Sequence, residues 1–293
     1  MHKIIIILIS LVLILCSCQP EPITIDIPQA PPKMVISSQL VPNENTLLVA
    51  VSKNFSALKK GAPTYDSNGV NFDTTLLLTN SVVILQSNNT IDTLREFSPG
   101  LYISKPLDEF TLQNYTLFAS NQPTGLTAWS STSHMADIVF DTIYPIISSY
   151  DDKGNINVHY QFTDIPNQEN WYLINYITGN KKDTTKNKID VDYIASRMLN
   201  QSNNFDLLTE KDFVAGKYIT DKRLSRVKLG DTIGVAISNI SKGYYDFLTV
   251  QKKASQLVNQ IRAEVINFPT NVQGGYGFFT IHRPDIHLME LKN

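Results

Sequence analysis

Cysteine is nearly absent. The 293 residues hold only Cys16 and Cys18, one residue apart, so no disulfide framework ties distant parts of the chain together. Charge is sparse: Asp, Glu, Lys and Arg make up 18% and nearly cancel, for a net charge of -2. That argues against a nucleic-acid binder, which would show a basic stripe. Only one long apolar run occurs, Ile4 to Leu15 broken by Ser10, and it falls short of the ~20 residues a membrane-spanning helix needs. No Gly-x-Ser-x-Gly elbow, no His-Glu-x-x-His and no fixed-period repeat is present. What is abundant is Asn, Ser and Thr, with Tyr and Phe at 13 each, a composition suited to β-rich proteins outside the cytoplasm. The length suffices to bury a core without staples.

The apolar run follows Lys3 and ends at Leu15-Cys16-Ser17-Cys18. A short charged region and an apolar stretch of this length read as a secretory signal, and the Leu-x-Ser-Cys ending resembles a bacterial lipobox. The expectation is a signal peptide over 1–17, cleavage before Cys18, and lipid attachment at Cys18. Mature protein then has a single cysteine and, having lost Lys3, a net charge of -3. Three acyl chains hold far more firmly than one. Gln19 after Cys18 is not the Asp of inner-membrane retention, which favours the outer membrane; the face, periplasmic or external, stays open. Residues 18–32 contain Pro20, Pro22, Pro28, Pro31 and Pro32 and read as an extended tether of up to ~40 Å, within which the alternating Ile23, Ile25 and Ile27 equally suit an edge strand stopped at Pro28.

From 33 to 136 the pattern is strands almost throughout. Met34-Val35-Ile36 and Leu47 to Val51 flank a Pro-Asn-Glu-Asn turn; Ser81 to Gln86 and Thr90 to Arg95 flank Ser87-Asn88-Asn89; Pro99-Gly100 turns into Leu101-Tyr102-Ile103; Tyr115 to Ala119 and Thr127 to Trp129 follow. Short strands at this spacing predict a β-sandwich. Lys59 to Asp73 is a long polar loop.

A second β-rich domain is expected over 137–293. Ile156, Val158, Tyr160 and Phe162 alternate with Asn157, His159 and Gln161, a half-buried strand. Trp171 to Ile177 and Lys228 to Ile240 are further strands. Lys181 to Lys188 reads as a solvated hairpin tip. One helix is predicted, 242–266, with Ser241 as N-cap and an apolar stripe through Phe247, Leu248 and Val250 that covers a sheet.

The ordered set Asn80-Ser81-Val82-Val83-Ile84, Gly100-Leu101-Tyr102, Tyr115-Thr116-Leu117, Tyr244-Tyr245-Asp246-Phe247 and Pro269-x-Asn271-x-x-Gly274-Gly275-x-Gly277-Phe278-Phe279 resembles a Bacteroidota outer-membrane lipoprotein family of unknown function. Its genes commonly stand beside those of TonB-dependent transporters. The resemblance implies an immunoglobulin- or transthyretin-like first sandwich and a non-catalytic accessory role; apart from it, Tyr102 and Tyr115 are expected to supply large half-buried faces.

Chemistry-bearing clusters are thin. Gly274-Gly275-x-Gly277 precedes a strand rather than a helix, so it reads as a backbone device and not a phosphate cradle. His282, Asp285, His287 and Glu290 lack a recurrent metal spacing, and no metal or cofactor is expected. Asp151-Asp152-Lys153-Gly154-Asn155 reads as a hairpin turn rather than a Ca²⁺ loop; Asp108-Glu109 also adjoins a turn. Five Asp-Thr-apolar or Asp-Thr-Thr triplets, centred on Thr74, Thr93, Thr142, Thr184 and Thr232, are similar to the O-glycosylation acceptor pattern of Bacteroidota envelope proteins.

Three functions follow as expectations: a non-catalytic accessory or ligand-binding subunit of a TonB-dependent transport system, partnered with an outer-membrane β-barrel; a surface adhesin for glycan or protein, using Tyr65 or Trp129 as platforms, with Trp171 more at home in the core; and, last, a hydrolase, for which no nucleophile–base pair is visible.

Overall fold

The computed structural model describes residues 31–41, 44–54, 74–87, 90–107, 114–179, 194, 204–254 and 267–292. The signal peptide, Cys18 and most of the tether lie outside the described residues, as do Tyr65, Thr184, Asp108-Glu109 and the loop 181–188. The side chain of Thr74 lies outside them too.

Two β-sandwiches account for the fold, which is mainly β with a single described helix. The first pairs two five-stranded sheets. In one, β1 (Met34–Val41) and β2 (Thr46–Lys53) form the expected hairpin, followed by β6 (Leu101–Ile103) and β5 (Arg95–Ser98). The other holds β3 (Val82–Gln86), β4 (Ile91–Thr93), β7 (Asn114–Asn121) and β8 (Leu126–Ser133). Alternation sends Val83, Leu85, Tyr115, Leu117 and Ala119 inward to meet Ile36, Val49 and Val51 in one core.

Tyr102 and Tyr115, expected half-buried, are fully enclosed. The core accepts Tyr102 because its hydroxyl is satisfied: it donates to the Leu78 carbonyl at 2.8 Å and accepts from the Ser81 amide at 2.8 Å. Burial raises its pKa.

The second sandwich packs β9 (Thr142–Ile146), β10 (Asn155–Thr163) and β13 (Lys217–Ser225) against β11 (Trp171–Gly179), β12 (Phe205–Thr209), β14 (Thr232–Ile240) and β17 (Asp285–Glu290). Ile156, Val158, Tyr160 and Phe162 of β10 are wholly buried, as their alternation predicts, beside Tyr172, Ile174 and Ile237. The helix α1 (Lys242–Ala254) is capped by Ser241, whose Oγ accepts from the Tyr244 amide at 3.3 Å. It covers the other face of β11 and β14 through Leu248, set against Leu173, Phe205 and Ile240. Residues 255–266, the rest of the expected helix, lie outside the described set. Trp171 is half-buried beside this cluster.

The division expected between residues 136 and 137 is crossed by the end of the chain. After α1 the backbone returns to the first sandwich and gives one strand to each of its sheets: β15 (Val272–Gln273) pairs with β8, and β16 (Gly275–Phe278) runs parallel to β1. Val272, Phe279 and Ile281 enter the first core. The physical reason is the edge problem: β1 and β8 would otherwise expose unpaired backbone along their length. Asn271 fixes the crossing, with its side chain accepting from the Phe279 amide at 2.9 Å and donating to the Phe279 carbonyl at 2.7 Å. The chain from Pro32 to Asn293 accordingly forms one compact unit.

The glycines here act on the backbone. Gly274 and Gly277 take φ of 79° and 91°. A Cβ on Gly275 would stand 2.4 Å from the Met34 carbonyl oxygen.

Candidate functional site

The outer face of the sheet β15-β8-β7-β3-β4 differs from ordinary solvated surface. Each strand that sends an apolar side chain inward presents the next residue outward. Register then aligns Gln273, Trp129, Phe118, Ile84 and Thr93 as one row across five strands. Trp129 is 50% exposed and Phe118 41%. Val82 and Ile91 project from the same face at 51% and 71%, one row to either side. Between the apolar groups run hydroxyl and amide pairs. Thr116 and Ser131 Oγ atoms lie 2.9 Å apart, and the Ser133 hydroxyl donates to Asn114 Oδ1 at 2.6 Å. Ser120 and Thr127 complete the next row. Among the described residues no outward position of this sheet is charged. In a chain with 18% charged residues, a dozen or more adjoining positions without one is a feature of this surface.

The second sandwich supplies the contrast. On the outer face of β9-β10-β13, Tyr144, His159 and Asp221 form a row. The His159 Nδ1 lies 2.7 Å from Asp221 Oδ1, and its ring stacks on Tyr144 at 4.9 Å. Lys217 and Arg223 share that face; it is a solvated sheet surface.

Beneath α1, a groove of about 360 Å³ is lined by Asp206, Leu207, Tyr245, Thr249 and Lys252. Of these residues Asp206 also belongs to a polar chain. The Tyr160 and Tyr176 hydroxyls lie 2.7 Å apart, Tyr176 donates to Asp206 Oδ2 at 2.7 Å, and Lys222 donates to the same oxygen. Burial by itself would raise the Asp206 pKa, but the hydrogen bonds from Lys222 and Tyr176 outweigh it and the net shift is downward. Burial raises both tyrosines well above their usual range. The chain joins β10, β11, β12 and β13, its tyrosines buried and its Asp206–Lys222 end half-buried.

Of the four candidate metal residues only two meet, with His287 Nε2 3.2 Å from Asp285 Oδ2. His282 is buried with Nδ1 3.3 Å from Thr280 Oγ1, Asp285 accepts from the Phe140 amide at 2.9 Å, and Glu290 pairs with Lys292 at 3.1 Å. Among the described residues no group of three or more His, Cys, Asp or Glu could hold a metal ion. Asp151 closes its turn, accepting from the amides of Lys153 and Asn155 at 3.0 and 2.9 Å; these bonds, led by that from the Asn155 side chain, lower its pKa. Of the triplet threonines, Thr93 and Thr142 are exposed on edge strands, and Thr232 is half-buried in β14 between β11 and β17.

Trp129, the expected platform residue, is half-exposed on this face, and Phe118 opposite it was not named from the sequence. The signal was present in Tyr115-Thr116-Leu117-Phe118-Ala119, in which no outward residue is charged. The alignment with Trp129 emerges only from strand register.

Residues 20–285 match the family model described as Domain of unknown function (DUF4249). The chain belongs to that family. No curated protein matches it. A chain from a solved cytokine receptor complex, crystal form 1A, aligns over 73% of this chain and 86% of its own length, with 6% identity and a TM-score of 0.25, too low to show a shared fold. Membership in DUF4249 thus carries no activity with it, and the chemistry must come from the residues.

Proposed function

We propose that this DUF4249 protein is a lipid-anchored, non-catalytic binding subunit of the outer envelope, accessory to a TonB-dependent outer-membrane transporter of a Bacteroidota-type cell. The anchor is Cys18, and the tether that follows it leads straight into β1. The single observation that supports binding is the uncharged, aromatic-bearing outer face of the first sandwich, since exposed apolar rows of this kind mark interaction sites. The transporter as partner rests on the resemblance of the Gly100-Leu101-Tyr102 and Gly274 to Phe279 segments to envelope lipoproteins encoded beside such transporters, an associational support. Affinity purification of the tagged, lipidated protein from solubilised outer membrane tests it. Recovery of a β-barrel transporter is the expected result, and a protein that elutes alone in several detergents would overturn the reading.

A second reading, a surface adhesin, is favoured by the same Trp129–Phe118 row. It differs in its prediction: whole cells lacking the gene would lose attachment to a ligand-coated surface while uptake is unchanged.

A further inference from the structure

We propose that the outer face of β15-β8-β7-β3-β4 binds a neutral oligosaccharide chain, with Trp129 and Phe118 as stacking platforms. The inference names the ligand class for the binding face and rests on the reading of this protein as a binding subunit.

Four observations select this occupant. The first is charge: a face with no ionised group among its described outward residues is matched to a neutral ligand and offers nothing to a polyanion or to anionic lipid headgroups, which call for clustered Lys and Arg. The second is chemical alternation. A pyranose presents C–H groups on its ring faces and hydroxyls around its rim. Half-exposed aromatic rings take the first, and the Thr116–Ser131 and Asn114–Ser133 pairs offer donors and acceptors to the second.

The third is size. With strands ~4.8 Å apart and same-face residues ~6.8 Å apart along a strand, each outward position covers about 33 Å² of sheet plane, and the dozen or more described outward positions about 400–460 Å². A stable protein interface takes about 20–30 residues a side, so this face is small for a protein and ample for a short sugar chain. The fourth is shape: side chains stand roughly perpendicular to a sheet, so the face is an open platform that leaves both ends of a glycan free to continue.

Calorimetric titration of the full-length protein in detergent tests it. The probes are cellohexaose, maltohexaose, xylohexaose and mannohexaose, with polygalacturonate and heparin as polyanions. At least one neutral hexasaccharide is expected to bind, and Trp129→Ala and Phe118→Ser are each expected to weaken it about tenfold or more with unchanged far-ultraviolet dichroism. Silence of all four neutral probes, binding of polyanions alone, or neutral binding indifferent to both substitutions overturns the proposal. The same two variants go through the membrane purification. Loss of a recovered β-barrel together with silent neutral probes makes the face a protein-docking surface and sinks the glycan assignment. Glycan binding without any recovered barrel upholds it and sinks the transporter reading instead.

Discussion

Gly277 of the closing strand sits in parallel register with Ile36 of the first strand, so close that a Cβ on Gly277 would lie 2.0 Å from the Ile36 carbonyl oxygen. The contact joins the two ends of the compact unit. It also explains why glycine stands inside β16, where the sequence pattern places the cluster ahead of a strand: at Gly277 the backbone needs positive φ and no side chain.

Gly277→Ala should therefore destabilise the protein by about 3 kcal/mol, combining a strained φ with a clash against backbone. Gly125→Ala is the control. Its φ is also positive, at 69°, but nothing lies within 4 Å of its would-be Cβ, so about 1–2 kcal/mol of backbone strain is the whole cost. Denaturant midpoints of the two variants separate close approach from backbone conformation. Equal losses would show that the β1–β16 contact does not constrain the fold.

Acid should loosen the region where the closing segment meets α1. His282 is buried beside Tyr244, their rings 5.6 Å apart. Burial, and then the nearby His134, bring its pKa down to about 4. Burial likewise lowers His134, outweighing Asp137 3.6 Å away, while Arg283 pushes in the same direction as burial. A histidine with a lowered folded pKa binds fewer protons folded than unfolded. Its contribution is whole above pH 6.5 and is lost as the pH falls toward 4, about 3 kcal/mol for His282. Thermal unfolding midpoints should drop across that window, and His282→Asn should flatten the dependence. A midpoint that stays constant from pH 7 to 4 would contradict this.

The Tyr160–Tyr176–Asp206 chain should behave as one unit. Tyr160→Phe removes one end of a 2.7 Å hydroxyl pair, and Tyr176→Phe removes the donor to Asp206 as well. Each should cost about 1–2 kcal/mol, with Tyr176→Phe the larger. The double substitution should cost less than their sum, because the bond they share is lost only once. Strict additivity in urea unfolding would show that the hydroxyls are not coupled.

How much of this was legible beforehand follows from what alternation and spacing can encode. The inward set of β10, the cap at Ser241 and the backbone role of Gly274 to Gly277 each depend on residues a few positions apart, and each is as expected. Enclosure of Tyr102 depends on the Leu78 carbonyl and Ser81 amide arriving from the turn that precedes β3. The return of β15 and β16 depends on partners at the far end of the chain. Phe118 meets Trp129 through register alone. Local pattern carries none of these three, since the pairing that creates them is non-local.

The edge-strand threonines offer a separate test of modification. Thr93 on β4 and Thr142 on β9 are exposed, while Thr232 pairs on both sides within β14, opposite Gly179 and Glu290. If a glycosyltransferase reads these triplets on folded protein, glycopeptide mapping should find sugar at Thr93 or Thr142 and none at Thr232. An intact mass equal to the lipidated polypeptide would refute modification altogether, and occupancy at Thr232 would place the transfer before folding.

Trp129 should matter more for binding than for stability. A half-exposed ring on an outer sheet face loses part of its burial and its cross-strand pair with Phe118 on truncation, so Trp129→Ala should shift unfolding by about 1 kcal/mol. Phe279 is wholly buried between the sheets, and Phe279→Ala should cost about 3–5 kcal/mol. The comparison decides what the Trp129–Phe118 row is. If Trp129→Ala destabilises the fold as Phe279→Ala does, the ring is a structural element of the sheet and the face has no claim to be a site. If stability falls no further than that while ligand affinity is lost, an exposed tryptophan on an uncharged face is retained for something outside the chain.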